Sequence, residues 1–425
     1  MRLQAGTATV DLTPPVGTPL AGFAARDHGS EGIHDPLHAK ALVLDDGSTR
    51  LCLVTTDLLS IPADLVSTIR ELIEAATGIP TGNVMLNSSH THSGPLLRDS
   101  AFAPVLARLI AGCAAMAASS LQPARVGSAR GPVQVGINRR ELRDGQMVLG
   151  RNPDGPVAPW VDVLRVDATD GSPLAILMAH ACHPVTRAAG SYQISADYPG
   201  VAQSLVQRVH LGAVAMFAQG CSGNINSEPV GGAFEDVRRL GTMLAGETLK
   251  VRELAATTDE VRLAVDHELV RLPCEAIPVL EECEAQAREY DEKLQQANNP
   301  DAVVHRAFAQ TWHKLAALKR RGEELEPLEF PLQGFALGDT VVLGLPGEVF
   351  VQYALHAEAV SPFRQTLTLG CTNGSLAYVP TAEALGEGGY EVSFAPIWWG
   401  RLPFAPELEE RLKDGITRLL ARLHG

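Results

Sequence analysis

The stretch Val84 to Pro95, VMLNSSHTHSGP, runs from an apolar segment into a Ser-Gly-Pro turn and sets His90 and His92 one residue apart. In an extended chain, residues two apart point to the same side, so both imidazoles can meet one small target where the strand ends. On its own an H-x-H pair is evenly divided between a metal or acid/base role and a hydrogen-bonded pair of polar residues. The rest of the chain has to decide it.

Two more apolar segments end in the same way. AILMAHACHPVT closes on His183-Pro184, and VVLGLPGEVF closes on Pro346-Gly347-Glu348. Strand ends are where a sheet presents polar groups to a cleft, and a proline stops further pairing. His180 stands three residues before His183, faces the other way on a strand, and reads as a packed histidine. His90, His183 and Glu348 then form a His/His/Glu set of the kind that holds catalytic zinc with one position open. The loop GCSGNINSEPVGG (220–232) carries neither a G-x-x-x-x-G-K-S/T nor a G-x-G-x-x-G pattern, so it is read as placing backbone N–H groups and the amides of Asn224 and Asn226 beside a cleft. Ser222 lies in no G-x-S-x-G elbow and is a poor nucleophile candidate.

Around these segments the pattern alternates between strand and helix. LHAKALVLDDGSTRLCLVTTD (37–57) is two β-rich runs about a glycine turn, and helical spacing follows over Ala63–Ala76. A strand at Val84–Ser88, a helix from about Phe102 to Ala118, strands to about Ala181, helices at Pro199–Val209 and Phe234–Leu254, and a strand in GAVAMFAQG complete an α+β reading built on mixed sheets. Residues 275–324 are dense in Glu, Gln, Lys, Arg and Ala, and Asn298-Asn299-Pro300 divides them into two helical runs. This predicts a helical hairpin inserted into a single catalytic domain spanning residues 1–425, acting as a structural decoration or an oligomer contact. A hairpin turning at Gly338-Asp339 and an amphipathic helix from Pro406 to His424 end the chain.

The 425 residues carry a formal net charge of -14, with 45% apolar and 20% charged residues. That excludes nucleic acid and anionic membranes as favoured partners, because both require basic patches, and leaves a small-molecule substrate with self-association open. No apolar run reaches bilayer length and the N-terminus has no signal-peptide core, so a cytoplasmic protein without stable membrane anchoring is expected. Seven scattered cysteines without C-x-x-C spacing suggest neither a disulfide framework nor a cysteine zinc site.

The motifs ATVDLTPPVGTPLAGF, GIHDPLHAKALVLDDG, SSHTHSGP, GINR, HPVT, ISADYPG, GNIN, LPGE and NGSLAYVPTAEALGEGGYE follow one another from Ala8 to Glu391. In this order they resemble the N-terminal catalytic domain of the neutral (alkaline, non-lysosomal) ceramidases and their bacterial relatives. The resemblance implies a zinc-dependent amidase with one Zn2+ per chain, held by His90, His183, Glu348 and Tyr378. It also implies that His92, Arg139 and Tyr390 line the site around the scissile carbonyl. Without it, Tyr378 and Tyr390 read as core aromatics with satisfied hydroxyls. Asn226 stands where the family carries its catalytic serine, and the chain shows neither the family's further C-terminal domain nor a secretion signal. The expected enzyme therefore hydrolyses an amide or ester of a small polar substrate, rather than ceramide, with metal-activated water. His92 is the expected proton shuttle, Arg139 or Tyr390 the oxyanion donor, and Asn226 the group that orients water or substrate. Asp197 is expected either behind a ligand histidine or as a helix cap, and His34-Asp35 as a turn. A lactonase acting on a sugar-derived lactone, and a non-catalytic binding protein on the same fold, are the alternatives.

Overall fold

A computed structural model of the chain describes residues 2–98, 100–296, 299 and 301–425. Eight strands make its main sheet: β1 (Gln4–Asp11), β2 (His38–Asp45), β3 (Arg50–Thr56), β4 (Val84–Ser88), β5 (Gln122–Pro132), β6 (Trp160–Ala168), β7 (Pro173–His180) and β8 (Val214–Gln219). Their order in space is β8-β7-β6-β5-β1-β2-β3-β4. A second sheet of four strands runs β9 (Leu263–Leu272), β10 (Leu328–Leu337), β11 (Thr340–Gly344) and β12 (Gln365–Leu369). Helices α1 (Ala63–Thr77), α2 (Ala103–Ser119), α3 (Asp197–Val209), α4 (Phe234–Leu254), α5 (Leu280–Leu294) and α6 (Ala302–Arg320) match the expected ones to within a few residues, as does α8 (Leu408–His424), while α7 (Val351–Val360) is a helix that the sequence pattern did not mark. The mixed α+β architecture is as expected. Most sheet neighbours are antiparallel, while β3-α1-β4, β7-α3-β8 and β11-α7-β12 are parallel crossovers.

The near-continuous apolar run in β2 and β3 follows from burial on both faces. Ala41, Val43, Cys52 and Val54 pack beneath α1 and α2, while Leu42, Leu44, Leu51 and Leu53 pack against Phe335, Leu337 and Val342 of the second sheet. Helices α3 and α4 cover the other half of the main sheet, and α7 and α8 cover the outer face of the second. The layering is helix, sheet, sheet, helix.

The expected insertion is a pair of antiparallel helices, α5 and α6, joined across by Arg320–Glu284 at 2.6 Å and His313–Asp291 at 2.8 Å. Of the turn expected at Asn298-Asn299-Pro300, Asn298 and Pro300 lie outside the described residues. Among the described residues no helix is long and apolar enough to cross a membrane.

Candidate metal centre

The crossovers bring strand ends together, and Asn87 at the end of β4 joins them. Its buried amide donates to the carbonyl of Gly370 (2.8 Å) beyond β12, and its Oδ1 accepts the Gln219 N–H (2.8 Å) at the end of β8. Beyond Asn87 the chain turns sharply: His90 takes φ 68°, a left-handed conformation that histidine tolerates better than most residues. The His90 N–H donates to the Leu58 carbonyl and its Nδ1 donates to the Leu59 carbonyl, each at 2.8 Å. A carbonyl can only accept, so Nδ1 carries the proton and, in the neutral ring, Nε2 presents its lone pair.

His183, just past the end of β7, is held in the same manner. Its Nδ1 donates to the carbonyl of Ser222 at 2.8 Å, with that of Ile225 at 3.1 Å. The loop that supplies these carbonyls also meets Glu348, since the Gly223 N–H donates to the Val349 carbonyl at 2.9 Å. A Cβ on Gly223 would stand 2.3 Å from the Glu348 carbonyl, so only glycine fits there. Glu348 is buried with its Oε2 at 3.1 Å from His183 Nε2 and 3.3 Å from His90 Nε2. Burial opposes the Glu348 charge, but the two imidazoles outweigh it and hold its pKa well below the usual range. Burial depresses His183 to about 4, aided by the Arg139 charge; on His90 the neighbouring Cys371 and Glu348 overcome burial and raise the pKa.

His92 completes the group: one ring nitrogen from each of His90, His92 and His183 lies within 4.8 Å of the others. Among the described residues neither ring nitrogen of His92 has a hydrogen-bond partner. Its ring packs on Phe23 at 4.9 Å between centroids, and Arg26 Nη1 binds its carbonyl at 2.8 Å. Burial and the neighbouring imidazoles hold its pKa well below the usual value.

Beside this cluster lies a cationic and aromatic wall. Glu348 and Tyr378 are register partners in a short parallel ladder, and the Arg139 guanidinium lies 5.3 Å from the Tyr378 ring and 5.9 Å from the Tyr390 ring. Arg139 Nε donates to Glu391 at 2.8 Å and Nη1 to Asn226 Oδ1 at 3.1 Å, while Nη2 is buried without a partner among the described residues. Tyr378 is buried and stacks on Trp399 at 5.4 Å. Glu391, 1% exposed, also accepts from Arg140 at 2.9 Å. The sequence reading missed Glu391. Adjacent arginines on a strand should face opposite ways, but a bulge between Asn138 and Arg140 turns both toward one carboxylate. The paired arginines were the available signal, because a strand that buries two cations requires an anion.

Several expected residues serve elsewhere. Asn224 does not reach the cleft: its Oδ1 accepts the first N–H of α7, from Val351, at 2.9 Å, and its amide donates to Gln352. Asp197 backs no ligand histidine; its carboxylate accepts the N–H groups of Tyr198 at 2.6 Å and Arg187 at 3.3 Å, as a residue at a helix start does. His180 is packed, donating to the Trp160 carbonyl at 2.7 Å, and the Ser222 hydroxyl accepts from Gln219. His34 and Asp35 shape a turn, with Asp35 bonded to Ser195 and Ala196.

The donors suit a divalent metal. Two ligand histidines with Nδ1 tied to carbonyls show the arrangement that fixes metal-binding tautomers. At bonds of about 2.0 to 2.2 Å, ligand atoms of a tetrahedral zinc stand about 3.3 Å apart. The His90 and His183 nitrogens lie 3.3 and 3.1 Å from Glu348 Oε2. The imidazole and carboxylate set matches zinc without excluding other first-row ions.

Comparison with known proteins finds relatives among the ceramidases. Residues 3–108 match the family described as neutral/alkaline non-lysosomal ceramidase, N-terminal. The chain is 22% identical to the neutral ceramidase of Pseudomonas aeruginosa over 448 aligned positions, covering 88% of this chain and 66% of that protein. It is 27% identical to neutral ceramidase A of Dictyostelium discoideum over 231 positions, covering 48% of this chain and 32% of that protein. The chain thus spans just under two thirds of the first relative and about one third of the second. A solved ceramidase complexed with C2 superposes with a TM-score of 0.77 at 19% identity, covering all of this chain and 75% of the other. A crystal structure of the Pseudomonas aeruginosa neutral ceramidase superposes with a TM-score of 0.74 at 20% identity over the same shares.

Proposed function

We propose that this chain, which belongs to the neutral/alkaline non-lysosomal ceramidase family, is a metal-dependent hydrolase that cleaves an amide or ester carbonyl of a small polar substrate. What carries the reading is the cluster of His90, His183 and Glu348, buried and fixed from behind, with an unpartnered His92 alongside. There His90, His183 and Glu348 would hold one zinc ion, with Tyr378 as a fourth ligand. A zinc ion there supplies Lewis acidity and water of lowered pKa.

The protein groups then divide the work. His92 has no carbonyl to fix its tautomer, which suits a base that takes a proton at one nitrogen and returns it to the leaving group. Arg139 Nη2, buried and unpartnered, is the donor for the developing oxyanion, and removal of one such donor typically costs about 3 to 4 kcal/mol in the barrier. Tyr390 flanks it, with its ring 5.9 Å from the guanidinium. Asn226 spends its Oδ1 on Arg139, which leaves an amide and no nucleophile at the position of the family's serine. That favours water as the attacking group. The names of the relatives point to ceramide, so the substrate panel must include it.

The test is metal content by mass spectrometry on protein purified without chelators, with hydrolysis measured on ceramide and on short amides, esters and sugar lactones. The expected result is about one zinc per chain in the wild type and none in folded His90→Ala and Glu348→Ala. Loss of hydrolysis is expected in His92→Ala, with its metal retained. Wild-type protein that cannot be loaded with metal refutes the mechanism. Loaded protein that cleaves nothing supports a binding protein, and preferential cleavage of ceramide or of a lactone replaces the substrate proposed here.

A further inference from the structure

The segment that carries Tyr390 and Glu391 is poorly supported by its own backbone. Gly388 and Gly389 precede it at φ 71° and 95°, and Tyr390–Phe394 forms a π-helical turn before the short helix Ala395–Trp398. Such turns are rare because their backbone geometry is unfavourable, and they persist where surrounding structure holds them. Glycines add conformational freedom that something else must remove. Arg139 and Arg140 anchor its Glu391 and Gly388 from one side, and from the other it is held by the inserted hairpin.

Three contacts do so. Phe308 of α6 packs on Phe394 with centroids 5.0 Å apart, and Phe394 stacks on Tyr390 at 5.4 Å. The buried Thr311 hydroxyl lies 2.8 Å from the Ile397 carbonyl and 2.9 Å from the Ala307 carbonyl of its own helix, so its single proton is shared between helix and segment. Lys314 Nζ donates to the Gly400 carbonyl at 3.0 Å. Behind these, Leu315, Ala316 and Cys283 share one apolar cluster with Ile397 and Leu402. A continuous line of packed groups runs from Phe308 through Phe394 and Tyr390 to the Arg139 guanidinium.

We infer that the hairpin α5–α6 is a positioning element of the site: through Phe308 and Thr311 it sets the Tyr390–Trp399 segment, and with it the orientation of Arg139, while leaving His90, His183 and Glu348 untouched; of the proposed ligands only Tyr378, stacked on Trp399, adjoins the segment. This rests on the functional reading above for its effect on catalysis, but not for the structural effect. His90 and His183 are held by strand ends and by the 58–59 and 222–225 carbonyls, and Glu348 by its short ladder, and none of these belongs to the hairpin. An insertion that changes in sequence can therefore retune the wall facing the substrate without disturbing His90, His183 or Glu348.

Hydrogen exchange by mass spectrometry on the full chain separates these effects, comparing wild type with Thr311→Val, which keeps the shape and loses the hydroxyl, and Thr311→Ser, which restores it. Loss of one hydrogen bond predicts exchange about three- to tenfold faster across 388–401 in Thr311→Val. Residues 84–92 and 173–183, and the metal content, are expected to stay unchanged, and Thr311→Ser to return to wild-type rates. Lys314→Met, at an exposed position, should reproduce a smaller local acceleration if Thr311→Val fails to fold. Unchanged exchange in 388–401, or equal acceleration everywhere, overturns the proposal. On any substrate that the wild type cleaves, kcat/KM should fall in Thr311→Val and recover in Thr311→Ser with zinc content constant. If no substrate is cleaved, the functional reading fails and the exchange result still decides the positioning role.

Discussion

Replacing Glu391 by Gln should be among the most damaging single changes in this chain, although it removes only one charge. Each carboxylate oxygen serves a different buried guanidinium: Oε1 accepts from Arg139 Nε at 2.8 Å and Oε2 from Arg140 Nη1 at 2.9 Å. Removing one partner of a buried ion pair typically costs about 3 to 5 kcal/mol, because the cation left behind cannot return to water. Arg140 keeps other acceptors, the Gly388 carbonyl at 2.9 Å and Glu387 at 3.0 Å, whereas Arg139 keeps only Asn226. Most of the cost therefore falls on Arg139, and the lower part of the range applies, about 3 to 4 kcal/mol. Urea unfolding at pH 7 should show it as a lower midpoint at unchanged slope. In an Arg139→Met background the same substitution should cost only about 1 kcal/mol, because the orphaned charge is gone. A loss below 1 kcal/mol in the wild type, or an equal loss in both backgrounds, would show that water or relaxation reaches Arg139 and that the buried network is not what holds this wall.

Burial lowers the His180 pKa to about 4 despite its bond to the Trp160 carbonyl, so the folded state resists a proton that the unfolded chain takes up near 6.5. The stability this contributes is present above about pH 6.5 and lost as pH falls toward 4; His180→Asn should flatten the decline by about 1.4 kcal/mol per pH unit in that window, measured by urea unfolding from pH 7 to 4.5. Gly22 sits at φ 95° with its missing Cβ aimed at His92 Nδ1, 2.5 Å away; Gly22→Ala should displace that imidazole and lower turnover at least tenfold while zinc stays bound, and a variant with full activity would remove His92 from the mechanism. Chelation should lower the melting temperature in proportion to the metal's binding energy, about 2.7 kcal/mol at a free concentration one hundred times the dissociation constant. Readdition should restore it in the wild type and not in Glu348→Ala, and a chelator-insensitive melt of metal-loaded protein would contradict a metal bound only by the folded state.

What could be read from the chain alone was whatever its local pattern encodes. The apolar run of Leu37–Asp57 with its glycine turn specified a hairpin, and three apolar segments ending in His90, His183 and Glu348 marked the polar strand ends. The two helical runs of 275–324 were legible from composition, and the inserted pair is present as read, but nothing local could say that Phe308 and Thr311 would support the Tyr390 segment.

Convergence was decided elsewhere. Strand polarity in the main sheet runs β4 opposite to β7, so His90 and His183 meet only because the coiled sheet brings its edges β4 and β8 together, where Asn87 bonds to Gln219 and Gly370. The assignment of Asn224 and Asp197 to helix starts, and the capture of two adjacent arginines by Glu391, likewise depended on a bulge and on contacts between residues far apart in the chain. Periodicity reports which side of an element faces apolar surroundings, because burial acts on every residue independently. A catalytic constellation depends on distances between elements, and those are set by sheet twist, crossover packing and buried hydrogen bonds that no stretch of sequence contains by itself.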